Sequence, residues 1–171
     1  MSREYTARMD NASITSSTNT MVALAPSSTS AGTFEILRAW ASQSGSATSI
    51  QQQVRLQYSF NQAAANAPVG TGVTPQATKG FNDPASKLIS TTVAGNFGGA
   101  VTNCTSEGTG AKTAIYSDAF NVLNGWLWVP TPPETHMIGT YVSSQAYGLF
   151  NPVTPSTLTN WNFGLSYREL G

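Results

Sequence analysis

One stretch of this chain, NGWLWVPTPPETHMI at residues 124–138, concentrates the groups that could do chemistry. It holds the single histidine, His136, with Glu134 two positions before it. On a strand these two side chains would share a face, as a histidine base and its orienting acid require. A serine hydrolase also needs an activated nucleophile, and the chain contains no Gly-x-Ser-x-Gly elbow. The simplest interpretation of His136 is a polar residue that follows a turn.

Metal and cofactor sites are not indicated elsewhere in the sequence. Zinc takes three or four Cys, His or carboxylate ligands, whereas Cys104 and His136 stand alone, 32 positions apart. The acids that could bind calcium, Asp83, Glu107 and Asp118, are scattered and form no Asp-x-Asp run. Glycoside hydrolysis needs two facing carboxylates, and the spacing of the eight acidic residues singles out no pair. We therefore expect no enzyme activity, no metal and no cofactor.

The two tryptophans of the stretch leave several interpretations open. Trp126 and Trp128 are two positions apart and share one face of a predicted strand, while Leu127 and Val129 share the other. If the two aliphatic residues face the core, the indoles point outward. They would then form a stacking platform for sugar rings or anchors in a protein interface, where tryptophan is enriched. In the opposite orientation both indoles belong to the core.

Three prolines follow this pair directly. Pro130, Pro132 and Pro133 are expected to stop ladder pairing and to hold the chain extended. A stiff segment loses little conformational entropy when it binds. With Trp126 and Trp128, these prolines are our candidates for an interface.

The composition restricts the class of protein. Charged residues make up 9% of the 171, against about 25% in an ordinary soluble domain, and eight basic residues balance eight acidic ones. No electrostatic field would attract nucleic acid or an anionic membrane, and no window approaches the roughly 18–20 apolar residues of a membrane span. Serine and threonine together supply 42 residues. Such a neutral surface protects poorly against association and suits a protein docked in an assembly.

Alternation of apolar and polar residues predicts an all-β fold. In QVRLQYSF (residues 53–60) the apolar set begins with Val54 and Leu56, and WNFGLSYREL (161–170) repeats the pattern. In TFEILRAWAS (33–42), Phe34, Ile36 and Trp40 are expected on one side. Weaker strand candidates are Tyr5–Met9, Met21–Ala25, Lys87–Val93, Thr113–Phe120, Gly125–Val129, Thr135–Thr140 and Ala146–Phe150. No stretch keeps apolar residues three and four positions apart over the length of a helix that would change the fold class.

These signals predict a jelly-roll-like antiparallel β-sandwich of about 8–10 strands, because a single open sheet of that size would leave bare edges. Residues 61–86 and 94–112 read as long irregular loops at the ends of the sandwich. Residues 1–20 are expected to form an N-terminal arm or a first strand, and 21–171 a single β-sandwich domain. The single cysteine excludes an internal disulfide, and the polar opening MSREYTARMD shows no cleavable signal peptide.

The many β segments, the neutral Ser/Thr-rich composition, the long loops and the C-terminal NWNFGLSYREL together resemble the jelly-roll head decoration (cement) proteins of tailed phages. The resemblance implies an all-β subunit, often trimeric, that binds the capsid lattice and braces it against internal pressure. Such proteins commonly grip capsid subunits with a terminal arm or a loop, for which residues 1–20 and 61–86 are the candidates. The resemblance transfers no individual residue as a site.

The resulting hypothesis is a structural virion protein that decorates a phage capsid through multivalent contacts. Its expected partners are further copies of itself, with a trimer favoured, and the major capsid protein, with neither nucleic acid nor membrane. It would be made in the host cytoplasm and reside in the virion. Two alternatives remain: a tail, baseplate or fibre component, and a carbohydrate-binding β-sandwich that uses exposed Trp126 and Trp128.

Overall fold

The computed structural model describes residues 3–12, 20–26, 32–45, 49–60, 69–78, 80, 83–88, 99–106, 111–139, 146–150 and 159–170. Within these ranges the chain forms twelve β-strands, one turn of 3-10 helix at Pro132–Glu134, and no α-helix. The strands are β1 (Arg3–Ala12), β2 (Thr20–Ala25), β3 (Thr33–Gln43), β4 (Gln51–Phe60), β5 (Val69–Val73), β6 (Gln76–Ala77), β7 (Gly99–Ser106), β8 (Ala111–Asn121), β9 (Trp126–Trp128), β10 (Met137–Gly139), β11 (Ala146–Phe150) and β12 (Trp161–Leu170). The all-β prediction is confirmed. The described residues include no helix long and apolar enough to span a membrane.

The strands form two six-stranded antiparallel sheets that pack face to face. Sheet one has the order β10-β3-β12-β1-β6, and β9 pairs with another part of β3 on the same side as β10. Sheet two has the order β5-β7-β2-β11-β4-β8. The predicted antiparallel sandwich is therefore confirmed.

The strand order is that of a jelly roll. We count β9 and β10 as one interrupted strand and set aside the insertion β5–β7, which leaves eight strands. When these eight strands are numbered one to eight along the chain, their order across sheet one is 6-3-8-1, and their order across sheet two is 2-7-4-5. These are the two Greek keys of the jelly roll. The insertion widens both sheets, since β6 extends sheet one and β5 and β7 extend sheet two.

Parts of the two predicted loops are strands, which corrects the prediction of irregular structure there. Strands β5 and β6 lie within residues 61–86, and β7 lies within 94–112. Their Gly, Thr and Ala residues do not alternate with polar ones as apolar strand residues do, so the sequence pattern does not predict these three strands. The glycine at 70 has a steric reason, because a Cβ there would lie 2.4 Å from the Thr102 carbonyl oxygen of the neighbouring strand.

The first strand is an interior member of sheet one. Residues 3–12 form β1, between β12 and β6, so this part of the predicted segment 1–20 is a strand and not an arm. Residues 13–19 lie outside the described part of the chain.

Both inner faces supply the core. From sheet two, Val54 and Leu56 are buried as the alternation predicts, and from β12 four alternate residues are fully buried: Trp161, Phe163, Leu165 and Tyr167. At roughly 25 cal/mol per Å² of apolar surface, this burial is the main stabilising contribution.

Trp40 does not lie on the face predicted for it. Ile36 pairs with Tyr167, but Arg38 pairs with Ser166, so Leu37 is an extra residue in a β-bulge. The bulge reverses the alternation. Phe34 and Ile36 face the core, and Trp40 lies on the outer face, where its indole covers the glycine at 164.

A buried polar network, here called the Glu169 clasp, fastens the segment 83–88 to the end of β12. Glu169 is 4% exposed, and its Oε1 accepts hydrogen bonds from the Ser86 hydroxyl (2.7 Å) and the Lys87 backbone N–H (2.8 Å). Ser86 Oγ in turn lies 2.5 Å from the Tyr167 hydroxyl and accepts from the Leu88 N–H at 3.0 Å. The clasp holds Leu88, which is fully buried, in the core.

Candidate functional site

The structure determines which way the tryptophan pair points. Trp126 and Trp128 are each 9% exposed and face the core, whereas Leu127 is 65% and Val129 61% exposed. The arrangement in which the indoles project as a platform for sugar rings is therefore not the one this chain adopts. The orientation in which both indoles belong to the core is the correct one.

Pairing with β3 explains this orientation. Trp126 lies opposite Ala41 and Trp128 opposite Ala39, two buried alanines whose small side chains leave room for the indoles. Leu127 lies opposite Trp40, which the bulge has placed on the outer face. The turn into β9 needs a positive φ at Gly125 (67°), a conformation open to glycine at little cost.

The indoles belong to an aromatic cluster at one edge of the sandwich. The Tyr116 ring lies 6.3 Å from the Trp126 ring and 6.1 Å from the Trp128 ring, measured between centroids. Trp126 Nε1 and the Tyr116 hydroxyl both donate to Asp118 Oδ2, each at 3.1 Å. Asp118, a candidate calcium ligand from the sequence, thus acts as a hydrogen-bond acceptor for the cluster.

His136 is part of the same cluster, and the hydrogen bonds among the described residues join its ring to Tyr147 and Glu134 to Thr131. Its ring stacks on Trp128 with centroids 4.8 Å apart, and its Nδ1 lies 2.7 Å from the Tyr147 hydroxyl. Glu134 accepts a hydrogen bond from the Thr131 hydroxyl (2.7 Å). Burial lowers the pKa of His136, against the weaker opposing effect of Glu134, and burial raises the pKa of Tyr147 well above its usual value. Both shifts favour the uncharged forms of the imidazole and the tyrosine.

Acidification is expected to destabilise the protein through His136. The pKa of this residue is lowered in the folded state, so the unfolded chain binds the proton more strongly. The contribution of His136 to stability is complete above the ordinary pKa of 6.5 and is lost as the pH falls toward the folded value. Urea unfolding at pH 8 and pH 5 should show a smaller loss of stability for His136→Gln than for the unchanged protein. Equal losses in both proteins would contradict the prediction.

The prolines form a turn between β9 and β10. Ladder pairing of β9 ends at Trp128, before Pro130, in agreement with the predicted stop. Pro132 and Pro133 are exposed but open a turn of 3-10 helix, which corrects the prediction that they hold the chain extended. The reason is that the fixed φ of proline also suits the first positions of a helical turn.

A cleft of about 400 Å³ lies between this turn and β8. Its walls are Ile115, Tyr116, Trp128, Pro133, Glu134, Thr135 and His136. Tyr116 is only partly covered at this cleft.

Exposed apolar side chains line the outer face of sheet one, on its β9–β10 side. Leu127, Val129 and Met137 are 65%, 61% and 50% exposed, and we call these three residues the outer apolar row. Met137 lies opposite Glu35, and the neighbouring Ile138 is buried, which puts Met137 on the outer side. Trp40 adjoins the row, with the Arg38 guanidinium 5.3 Å from its ring centroid.

The remaining outer face of sheet one is polar. Arg168 forms ion pairs with Glu4 (3.0 Å) and Glu35 (3.1 Å), which link β12 to both of its neighbours. The outer apolar row is thus bordered by charge on one side, an arrangement typical of a protein interface with a polar rim. The sequence predicted two faces for β9, but period two alone does not say which face is buried.

The described residues contain no group of three or more His, Cys, Asp or Glu side chains that could hold a metal ion. Of the candidate calcium ligands, Glu107 lies outside the described residues. The chain matches no protein-family model, and a search of curated proteins finds no similar sequence. Functional proposals therefore depend on the residues and geometry of the chain itself.

Proposed function

We propose that this protein is a non-enzymatic structural subunit that decorates a phage capsid, with the outer apolar row as its contact with the major capsid protein. The observation that carries the proposal is that row: three large apolar side chains, at least half exposed, along the β9–β10 side of sheet one. Apolar patches of this kind on soluble proteins commonly mark binding surfaces.

Two further properties support a structural role. The jelly roll is frequent among viral shell domains, although the fold by itself does not define a function. The only histidine is half-buried, and its ring packs against Trp128 and contacts the Tyr147 hydroxyl. The proposed mechanism is avidity, in which weak contacts repeated over a symmetric shell add up to stable attachment. The trimeric assembly implied by the resemblance belongs to the same proposal.

Replacement of Leu127 and Val129 by aspartate is expected to abolish attachment to capsids. Each exposed aliphatic side chain buried in an interface contributes about 1.5 kcal/mol or more, so the double variant should bind at least about 100-fold more weakly. The measurement is co-sedimentation of the purified protein with capsids that lack decoration. Attachment of the unchanged protein should also raise the temperature at which these capsids release DNA.

Leu123→Asp is the matched control, since Leu123 is 52% exposed but lies in the turn between β8 and β9. It should bind capsids as the unchanged protein does. Failure of the unchanged protein to bind any capsid would refute the decoration role. Equal binding by Leu127→Asp/Val129→Asp would refute the outer apolar row as the contact.

A further inference from the structure

Among the described residues, the last strand of sheet two has one backbone edge without a partner strand. β8 is 11 residues long and stands at the end of the strand order, paired with β4 alone in the described part of the chain. Its first nine residues, Ala111–Ala119, are all exposed. A long exposed edge offers a row of N–H and C=O groups to any further strand.

This edge is only partly protected against pairing: β8 carries Lys112, Asp118 and a bulge at Ile115, but it is long, contains no proline and is uncharged between those two residues. Natural edge strands carry inward charges, lysines or prolines, or are short. Between Lys112 and Asp118 the sequence of β8 is TAIYS, with no charge and no proline, and several of its other residues are alanine. The chain as a whole has a formal net charge of zero, so no long-range repulsion keeps copies apart.

We propose that β8 is the interface between two copies of this chain, which pair antiparallel through this edge and join their second sheets into one continuous sheet. The proposal concerns association between copies and does not depend on the capsid partner. A two-fold pairing of this kind is self-complementary and closed.

The charges of β8 favour a second copy in this orientation. Lys112 lies near one end and Asp118 near the other. A parallel, in-register pair would set the two Lys112 side chains opposite each other, and likewise the two Asp118 side chains, whereas an antiparallel pair keeps these like charges apart.

The faces of β8 also match. Thr113, Tyr116 and Asp118 lie opposite Tyr58, Leu56 and Val54 of β4, which puts them on the inner side. Lys112, Ala114 and Ser117 lie on the outer side, and the switch between the two sets occurs at a bulge at Ile115. Antiparallel registers centred on this bulge, such as Thr113 of one copy opposite Tyr116 of the other, keep inner residues opposite inner ones. A shift by one residue would put inner opposite outer.

The mass of the full chain in solution, measured by light scattering or sedimentation, gives the first test. We expect a species of twice the 18.0 kDa chain mass, or of six times that mass where two of the proposed trimers pair through β8. Ala114→Lys/Ser117→Lys should raise the dissociation constant of the pair at least about 30-fold, because it sets like charges across the edge. Thr71→Lys adds one positive charge to β5, at the opposite edge of sheet two, and should leave the mass unchanged. Circular dichroism checks that each variant is folded.

Spin labels test the orientation. An Ala111→Cys/Cys104→Ser protein, labelled at 111, should give an interlabel distance of about 24–31 Å, since 7 to 9 residues at about 3.4 Å each separate the two sites. A parallel, in-register pair would place them about 5 Å apart. The proposal would be overturned by a monomer or by an odd-numbered oligomer such as a trimer. It would also be overturned if Thr71→Lys were the only variant to change the mass in solution, or if the two labels lay about 5 Å apart.

Discussion

Trp161→Ala is expected to lower the free energy of unfolding by about 4 kcal/mol. The side chain is fully buried, stacks on Phe163 with ring centroids 5.2 Å apart, and meets the edge of Phe120 at 6.3 Å. Truncation removes these contacts and leaves a cavity that the surrounding strands fill only in part. Urea unfolding followed by circular dichroism measures the loss directly.

Trp161→Phe is the informative control. Among the described residues, no acceptor lies within hydrogen-bonding distance of Trp161 Nε1. Removal of an unpaired buried donor relieves a desolvation cost, which offsets part of the lost packing. We expect the phenylalanine variant to lose only about 1–2 kcal/mol. Equal losses for the two variants would show that ring packing is not the main contribution.

Glu169→Ala is expected to lower the free energy of unfolding by about 3 kcal/mol. The substitution leaves the Ser86 hydroxyl and the Lys87 N–H without the carboxylate oxygen that both now contact. Hydrogen bonds to a charged group contribute about 1.5–3 kcal/mol, and a buried donor without an acceptor adds a penalty. Chemical denaturation at pH 7 provides the measurement.

Glu169→Gln keeps an acceptor at the same place and should cost less than the alanine variant. Ser86→Ala removes the central hydroxyl of the clasp. Because Ser86 and Glu169 share a hydrogen bond of 2.7 Å, their double variant should lose less than the sum of the single losses, by about 1–2 kcal/mol. Additive losses would mean that the two residues act independently and that the clasp is not one network.

Strong alternation made much of the fold predictable. Val54 and Leu56 in β4, and the four buried residues of β12, occupy the faces that period two assigns to them. In β3 the same reasoning was wrong for Trp40, because the bulge at Leu37 adds one residue that no local pattern signals. Strands β5–β7 were also missed, since residues that bury little apolar surface carry no alternation.

The candidate site was predictable only in part. The alternation of β9 correctly separated Trp126 and Trp128 from Leu127 and Val129, but the buried face depends on Ala41 and Ala39, which lie 85 and 89 positions before their tryptophan partners. Nothing in the local sequence around these two alanines indicates that two indoles pack against them. The outer apolar row likewise needs Met137, which strand pairing brings to the same face. The proposed functions concern surfaces and partners, which depend on this long-range pairing.

The position of β1 has a consequence for biosynthesis. Its long ladder is formed with β12, where Arg3 lies opposite Glu169, 166 positions later, and within the described part of the chain its other strand pairing spans two residues of β6. During translation the first strand therefore emerges long before its main partner exists. Such non-local pairing slows folding and leaves apolar strands exposed in the meantime. Sheet one closes only after β12 has left the ribosome, so a chaperone that holds nascent chains would act on this protein before its sandwich exists.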